Sequence, residues 1–189
     1  MKPSESQAFK QIDGWLSLEE ADALYEAAAQ VPEGGCVVEI GSYKGRSTYA
    51  LCLGCMNRKI RVYATDTFTG SPGEETYFTE PYKATFLRNI TEFIECGTLA
   101  ILIMSSGGAL MRDLHPNLVF IDGSHIYEDA LFDLTAWWKQ LAVGGRLAIH
   151  DTTGTHPAVR QALLQFLERN NLHVESVTGS ISWLRKTVP

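Results

Sequence analysis

One stretch near the N-terminus constrains the fold of this chain more than any other. An apolar run over residues 36–40 is followed by Gly41 and Gly45, and a helical pattern begins at about Arg46. Glycine lets a backbone turn tightly and approach a ligand closely. The unbonded N–H groups at a helix start attract a polar or anionic group. The pattern therefore predicts a strand, a glycine turn and a helix that form half of a nucleotide-type cofactor site.

Apolar runs and helical patterns alternate along the rest of the chain. After a helical segment in residues 1–33, with a capping box at Ser17, the predicted strands are 36–40, 61–65, 99–104, 118–121, 146–149, about 173–177 and 181–186. Strands alternating with helices predict a mainly parallel sheet covered on both faces. We expect one α/β domain over 1–189, doubly wound and seven-stranded, with a C-terminal antiparallel hairpin.

Composition narrows the possible partners. The 189 residues carry a net charge of −6 and no block of Lys or Arg, which disfavours nucleic acid or an anionic membrane as partner. The N-terminus has no signal-peptide core, and no apolar run approaches membrane length. Four scattered cysteines suit a reducing compartment. We expect a cytoplasmic protein, with a homodimer among the states that the sequence leaves open.

The glycine turn favours an aminoacyl nucleoside over a dinucleotide. The dinucleotide pattern G-x-G-x-x-G lacks its middle glycine here, and Tyr43 stands in its place. Ser47, in the first helical turn, can bond a carboxylate, and Asp66, 66 − 45 = 21 residues after Gly45, is spaced to bind ribose hydroxyls. Glu39, inside an apolar strand, needs a partner such as an ammonium group or ordered water, because an unpaired buried carboxylate is costly.

A second motif follows the fourth predicted strand and carries a family resemblance. From about residue 14 to residue 186 the chain resembles the class I S-adenosylmethionine-dependent methyltransferases. It is most similar to the small-molecule group with the signature found here as Ile121-Asp122-Gly123-Ser124-His125-Ile126-Tyr127. The glycine turn is similar to that of catechol O-methyltransferase-like enzymes. The resemblance implies a Rossmann-like methyltransferase fold, S-adenosylmethionine as cofactor and a small-molecule acceptor.

The resemblance also implies where the cofactor binds. Glu39 and Gly41 would line its methionine end, Asp122 would lie beneath the sulfonium, and Ser105 and Ser106 would lie near the adenine edge or, alternatively, cap a helix. The predicted cofactor-binding residues are Glu39, Gly41, Ser42, Tyr43, Gly45, Ser47, Asp66, Thr67, Ser105, Ser106 and Asp122.

Methyl transfer from a sulfonium is an in-line displacement, so the protein has to position the reactants and remove a proton from the acceptor. His125 lies where catechol-type enzymes place a catalytic lysine, and an imidazole pKa near 6.5 suits a general base. A structural hydrogen bond is the alternative role for His125, and His150 is the competing base. Asp122 completes the predicted catalytic set.

A divalent metal is an open prediction. In the catechol-type relatives the metal is bound by carboxylates after the fourth and fifth strands together with an asparagine. This chain offers Asp122 and Asp151, but Thr152 replaces the asparagine. Two carboxylates with waters can hold Mg²⁺ or another divalent cation.

The sequence therefore predicts an S-adenosylmethionine-dependent methyltransferase that modifies a small molecule, on oxygen rather than nitrogen. The alternatives are a nicotinamide-dependent oxidoreductase and a non-catalytic cofactor-binding protein of the same fold. The long segment 67–80, with Phe68, Tyr77 and Phe78, is a candidate substrate lid, and a surface loop is the alternative.

Overall fold

A seven-stranded sheet organises the chain in the computed structural model, which describes residues 1–70 and 82–188. The strands are β1 (Cys36–Ile40), β2 (Arg61–Asp66), β3 (Leu99–Ile103), β4 (Leu118–Ile121), β5 (Arg146–Ile149), β6 (Ser176–Thr178) and β7 (Ile181–Arg185). After a 3-10 turn at Pro3–Glu5, the helices in these ranges are α1 (Gln7–Lys10), α2 (Leu18–Ala29), α3 (Arg46–Cys55), α4 (Lys83–Glu95), α5 (Ser106–Leu110), α6 (Tyr127–Gln140) and α7 (Pro157–Asn170).

The strand order is β3-β2-β1-β4-β5-β7-β6. The first five strands run parallel, and β7 is antiparallel to both β5 and β6. The predicted fold class, a doubly wound and mainly parallel sheet with a C-terminal hairpin, is confirmed. Because the strand order reverses between β1 and β4, their carboxyl ends form the crevice where ligands bind in such folds.

Two apolar cores, one on each face, hold the helices against the sheet. Helices α1 to α4 contribute to the first core, in which Phe86, Ile90 and Phe93 of α4 are fully buried. Helices α5 to α7 contribute to the second core, in which Trp137 of α6 is fully buried. The spacing of three and four residues between the α4 side chains puts them on one helical face, which explains why the helix was predictable.

Local signals explain most element ends. The Ser17 hydroxyl accepts a hydrogen bond from Glu20 N, and the Glu20 carboxylate accepts one from Ser17 N, which completes the predicted capping box. Pro157 occupies the first turn of α7, where its missing N–H is not needed, and His156 is the N-cap residue. The sixth strand is shorter than predicted and begins at Ser176. Helix α1 was not predicted because its four residues carry too little periodicity. Helix α5 begins after its N-cap residue Ser105, in agreement with the capping alternative stated for Ser105 and Ser106.

None of the helices within the described ranges is both long and apolar enough to cross a membrane. The predicted lid over 67–80 is described only as far as Gly70, so Tyr77 and Phe78 lie outside the described residues. Phe68 is described, and its ring packs 5.0 Å from the Phe86 ring, against the first core.

Candidate functional site

A cavity of about 970 Å³ opens at the carboxyl ends of β1, β2, β4 and β5. This volume lies in the range of small-molecule and cofactor sites. The predicted site residues that line it are Gly41, Ser42, Tyr43, Ser47, Asp66, Thr67, Ser105, Ser106, Asp122, His125, His150 and Asp151. Parallel strands bring their carboxyl ends to one edge of the sheet, which is why residues from distant parts of the chain meet here.

Asp66 holds the glycine turn at the end of β1. Its Oδ2 accepts hydrogen bonds from Ser42 N and Tyr43 N, each at 2.9 Å, and its Oδ1 accepts one from Phe68 N at 2.6 Å. These bonds help to keep Tyr43 in the left-handed region, with φ of 46°. Gly41 has φ of 83°, and an added Cβ would overlap the carbonyl oxygen of Asp122. The turn therefore depends on glycine at 41 and a carboxylate at 66.

Glu39 lies behind the cavity wall and does not line the cavity, which corrects the prediction that it contacts the cofactor. It is fully buried, and its Oε2 accepts hydrogen bonds from Ser42 Oγ at 2.8 Å and Thr48 Oγ1 at 2.5 Å. Its Oε1 is buried without a partner among the described residues. Burial raises the pKa of Glu39 to about 7, although the nearby hydroxyls partly offset the rise. Glu39 thus supports the turn through Ser42.

Gly45 does not line the cavity either, which corrects a second predicted contact. It has φ of 90° and precedes α3 as its N-cap residue. A Cβ at this position would come within 3.0 Å of Ile90 Cγ2 and 3.2 Å of the Phe86 ring. Gly45 is therefore needed for the left-handed turn and for the close approach of α4.

His150, the competing candidate base, lies among three carboxylates. The ring is buried, with Nδ1 3.2 Å from Asp122 Oδ1 and 3.0 Å from Asp151 Oδ2, and with Nε2 3.6 Å from Glu20 Oε1. These are ion-pair distances, since none meets hydrogen-bond geometry. Burial disfavours the protonated ring and lowers its pKa. The neighbouring carboxylates have the larger effect and raise the pKa of His150 to about 12. These carboxylates therefore favour the imidazolium form of His150.

Asp122 and Asp151, the residues predicted to hold a divalent metal, lie beside His150. One ligand atom from each of these three residues lies within 4.8 Å of the others, a grouping that could hold a metal ion. Thr152, at the position of the relatives' asparagine, is buried, and its hydroxyl is hydrogen-bonded to Ser180 O and Ser182 Oγ, both at 2.7 Å.

His125 is paired with Asp151 on the other side of that carboxylate. His125 Nε2 lies 2.9 Å from Asp151 Oδ2, and both side chains are half-buried. Burial would raise the pKa of Asp151, but hydrogen bonding to His125 and His150 holds it well below its usual range. Asp151 has φ of 58°, a strained conformation that is common at functional sites. An ionised carboxylate that orients an imidazole is the arrangement a general base requires.

The fold and this geometry agree with the comparison of the chain with known proteins. Residues 38–152 match a family model described as a methyltransferase domain. The chain belongs to this methyltransferase family. The match spans the sequence from β1 through the residues that follow β5, so it contains the glycine turn, Asp66 and the Asp122–His125 signature.

Solved structures with the same fold include several methyltransferases. An O-methyltransferase from Bacillus cereus in complex with S-adenosylhomocysteine has a TM-score of 0.69 and 14% identity, with 96% of this chain and 92% of that chain covered. A SAM-dependent O-methyltransferase from Thermotoga maritima has a TM-score of 0.67 and 15% identity, covering 97% and 72%. CalS11, a TDP-rhamnose 3'-O-methyltransferase of calicheamicin biosynthesis, has a TM-score of 0.59 and 21% identity, covering 87% and 76%.

Part of the cavity wall of the methyltransferase was not predicted from its sequence. Residues 14–16 line the cavity because Arg46, in the first turn of α3, holds the N-terminal segment. The Arg46 guanidinium donates to Leu16 O at 2.8 Å and to Ile12 O at 2.5 Å. The Trp15 ring packs 5.0 Å from the Tyr43 ring with the planes tilted by 31°, and Tyr43 in turn packs 5.0 Å from Tyr82. These contacts join segments about 30 residues apart, so no local sequence pattern predicts them.

Ser105 and Ser106 of the methyltransferase both line the cavity and both have structural roles. Ser105 Oγ caps α5 by accepting from Gly108 N at 3.2 Å, and Ser106 Oγ accepts from Trp137 Nε1 at 2.8 Å. Asp133, which was not predicted, lines the cavity beside them, and burial raises its pKa to about 6 against the hydrogen bond from Ser106. Its place within the apolar stripe of α6 was the sequence signal for a buried carboxylate.

Proposed function

We propose that this methyltransferase transfers a methyl group from S-adenosylmethionine to an oxygen atom of a small molecule. One observation carries the proposal. A single continuous cavity extends from the glycine turn after β1 to the His125–Asp151 pair after β4 and β5. A cofactor bound at the turn and an acceptor bound at the pair would therefore share one enclosed space, as a direct displacement requires.

In this proposal the residues of the turn hold the cofactor. Ser42 and Ser47 line the cavity at the start of α3, where unbonded N–H groups favour the cofactor's carboxylate. Asp66 Oδ2 already accepts from two backbone N–H groups and its Oδ1 from one, so a ribose hydroxyl would donate to Oδ1 in place of the 3.4 Å hydrogen bond from the Tyr82 hydroxyl. Ser105 and Ser106 lie at the adenine end, and the Asp122 carboxylate favours the sulfonium charge.

In the chemical step the acceptor oxygen forms a bond to the methyl carbon as the carbon–sulfur bond breaks. The sulfonium leaves as a neutral thioether, S-adenosylhomocysteine, and the acceptor's proton passes to His125. Asp151 orients the His125 ring and stabilises the imidazolium that forms, because its own carboxylate stays ionised. His150, fixed between Asp122 and Asp151, keeps both carboxylates in place.

Oxygen as the methylated atom and a small molecule as acceptor have separate support. The relatives from Bacillus cereus and Thermotoga maritima are O-methyltransferases, and CalS11 acts on TDP-rhamnose. The net charge of −6 disfavours a polyanionic acceptor. A cytoplasmic location is part of the proposal, supported by four cysteines that are all free thiols.

Calorimetry with S-adenosylhomocysteine and with NADH tests the cofactor, and we expect the first to bind and the second not to bind. Binding of NADH alone would instead support the oxidoreductase. Turnover is then measured by methyl transfer from labelled S-adenosylmethionine to a panel of phenols, catechols and sugar hydroxyls. Cofactor binding without transfer to any member would support the non-catalytic alternative.

His125→Gln tests the base, with the exposed His173→Gln as the matched control. We expect His125→Gln to lower kcat by about 10²- to 10⁴-fold while affinity for S-adenosylhomocysteine stays the same. The control variant should keep both values. Unchanged kcat in His125→Gln would remove the base from the mechanism.

A further inference from the structure

We propose that His125, Asp151 and His156 form a binding site for a borderline transition-metal ion of the Zn²⁺ or Co²⁺ type. The site shares Asp151 with the Asp122–Asp151 pair considered for Mg²⁺, but its other ligands are two imidazoles. The inference goes beyond the proposed methyl transfer and does not depend on it.

The three side chains already present their ligand atoms to one another. Those atoms all lie within 4.8 Å of one another, and His125 Nε2 is 2.9 Å from Asp151 Oδ2. The His125 and His156 rings stack with centroids 3.8 Å apart and an angle of 24° between their planes. Ligand atoms on a tetrahedral Zn²⁺, with bonds of about 2.1 Å, lie about 3.4 Å apart. Stacked rings hold their nitrogen lone pairs in nearly parallel planes, so one imidazole has to turn out of the stack before both nitrogens reach the same ion.

The backbone brings His156 to this position. The loop between β5 and α7 contains two left-handed residues, Asp151 with φ of 58° and Gly154 with φ of 100°, and it ends at His156. His156 is the N-cap residue of α7, yet its side chain makes no capping hydrogen bond. Its described contact is the stack on His125, so helix capping does not explain where the ring lies.

The ligand set indicates the class of ion. Two imidazole nitrogens and one carboxylate oxygen suit Zn²⁺, Co²⁺ and Ni²⁺, whereas Mg²⁺ prefers oxygen ligands and retained waters. All three residues line the cavity and are half-buried, so an ion can enter while most of bulk water is excluded. Water or an acceptor oxygen would complete the coordination. A metal-bound His125 nitrogen cannot take a proton, so ion binding and the base role exclude each other at that atom.

The test is a Co²⁺ titration of the tag-free full chain without cofactor, followed by visible absorption, with displacement by Zn²⁺. We expect one equivalent to bind, and we expect millimolar Mg²⁺ not to displace it. His156→Gln should weaken Co²⁺ binding at least about tenfold, because a ligand is lost. The exposed His173→Gln should bind Co²⁺ as the unmodified chain does.

A second variant guards against loss of folding at the start of α7. His156→Asn removes the imidazole and supplies a preferred N-cap residue, so the helix should be retained and Co²⁺ affinity should still fall. Circular dichroism and affinity for S-adenosylhomocysteine check the fold of both variants. No Co²⁺ binding to the unmodified chain, or equal binding to folded His156→Asn, would overturn the inference. Loss of binding in Asp122→Asn with full binding in His156→Asn would move the ion to the carboxylate pair and would also overturn it.

Discussion

Replacing Glu39 by Gln should change the free energy of unfolding of the cofactor-free protein in a pH-dependent way. Relative to the unmodified chain, the variant should gain stability as the pH rises. Glu39 is fully buried, its Oε2 accepts two hydroxyl hydrogen bonds, and its Oε1 has no partner among the described residues. Burial raises its pKa from an ordinary 4.5 to about 7. The folded state therefore binds the proton more tightly than the unfolded state.

The sign and size of the effect follow from this difference in pKa. Below 4.5 both states carry the proton, and Glu39 imposes no penalty. As the pH rises from 4.5 to about 7, the unfolded state ionises first and the folded state loses stability. Above about 7 the loss is complete at roughly 3 kcal/mol, since each pH unit of difference is worth about 1.4 kcal/mol. Gln cannot ionise, and its amide oxygen can accept the same two hydroxyls.

Urea denaturation of both proteins between about pH 5 and about pH 8 measures the effect as a difference in the free energy of unfolding. We expect that difference to grow in favour of Glu39→Gln as the pH rises. Glu33→Gln is the control, because Glu33 is exposed and hydrogen bonds from Lys59 and Arg58 lower its pKa. Its titration therefore lies below this pH range, and the difference for Glu33→Gln should stay nearly flat. A difference for Glu39→Gln that stays flat with pH would refute the argument that Glu39 is buried without full compensation.

Three further substitutions test the turn, the cofactor site and the end of α6. Gly41 has a left-handed backbone, and Gly41→Ala would place a Cβ against the Asp122 carbonyl. We expect the free energy of unfolding, measured by urea denaturation, to fall by at least about 2 kcal/mol. An unchanged midpoint would contradict the close approach. Asp66→Asn removes the charged acceptor of the turn N–H groups. The Kd for S-adenosylhomocysteine, measured by calorimetry, should rise about tenfold or more. Equal affinity would exclude the proposed ribose contact. Lys186→Met leaves three backbone carbonyls near the end of α6 without their donor, at a cost of about 1–3 kcal/mol. We expect a lower Tm and an unchanged cofactor affinity. An unchanged Tm would show that water replaces Nζ.

The features that sequence reasoning predicted well are those whose physics is local. The capping box at Ser17 lies within one helical turn, and each predicted strand rests on a short apolar run. The doubly wound, mainly parallel sheet with its C-terminal hairpin was also predicted, because alternating strands and helices permit few topologies. The spacing from Gly45 to Asp66 is one βα unit, and the structure does bring Asp66 against the turn.

The predictions that needed correction concern residues whose neighbours come from elsewhere in the chain. Glu39 was expected to contact the cofactor, but two hydroxyls from the turn and α3 hold it behind the wall. Gly45 was expected at the ligand, but its missing side chain makes room for α4. The contribution of Trp15 to the cavity wall was not predicted, because the segment that carries Trp15 is held by Arg46, which lies 30 residues further along the chain than Leu16.

The sequence by itself determined the order of elements, the glycine turn and the family, because short-range sterics and a contiguous motif specify them. Only the tertiary structure decided the charge of His150 and the grouping of His125 with His156. The protonation of His150 depends on carboxylates at positions 20, 122 and 151, and His156 reaches His125 only through the loop after β5. Electrostatic energy depends on distance in space and on burial, and neither quantity can be read from separation along the chain.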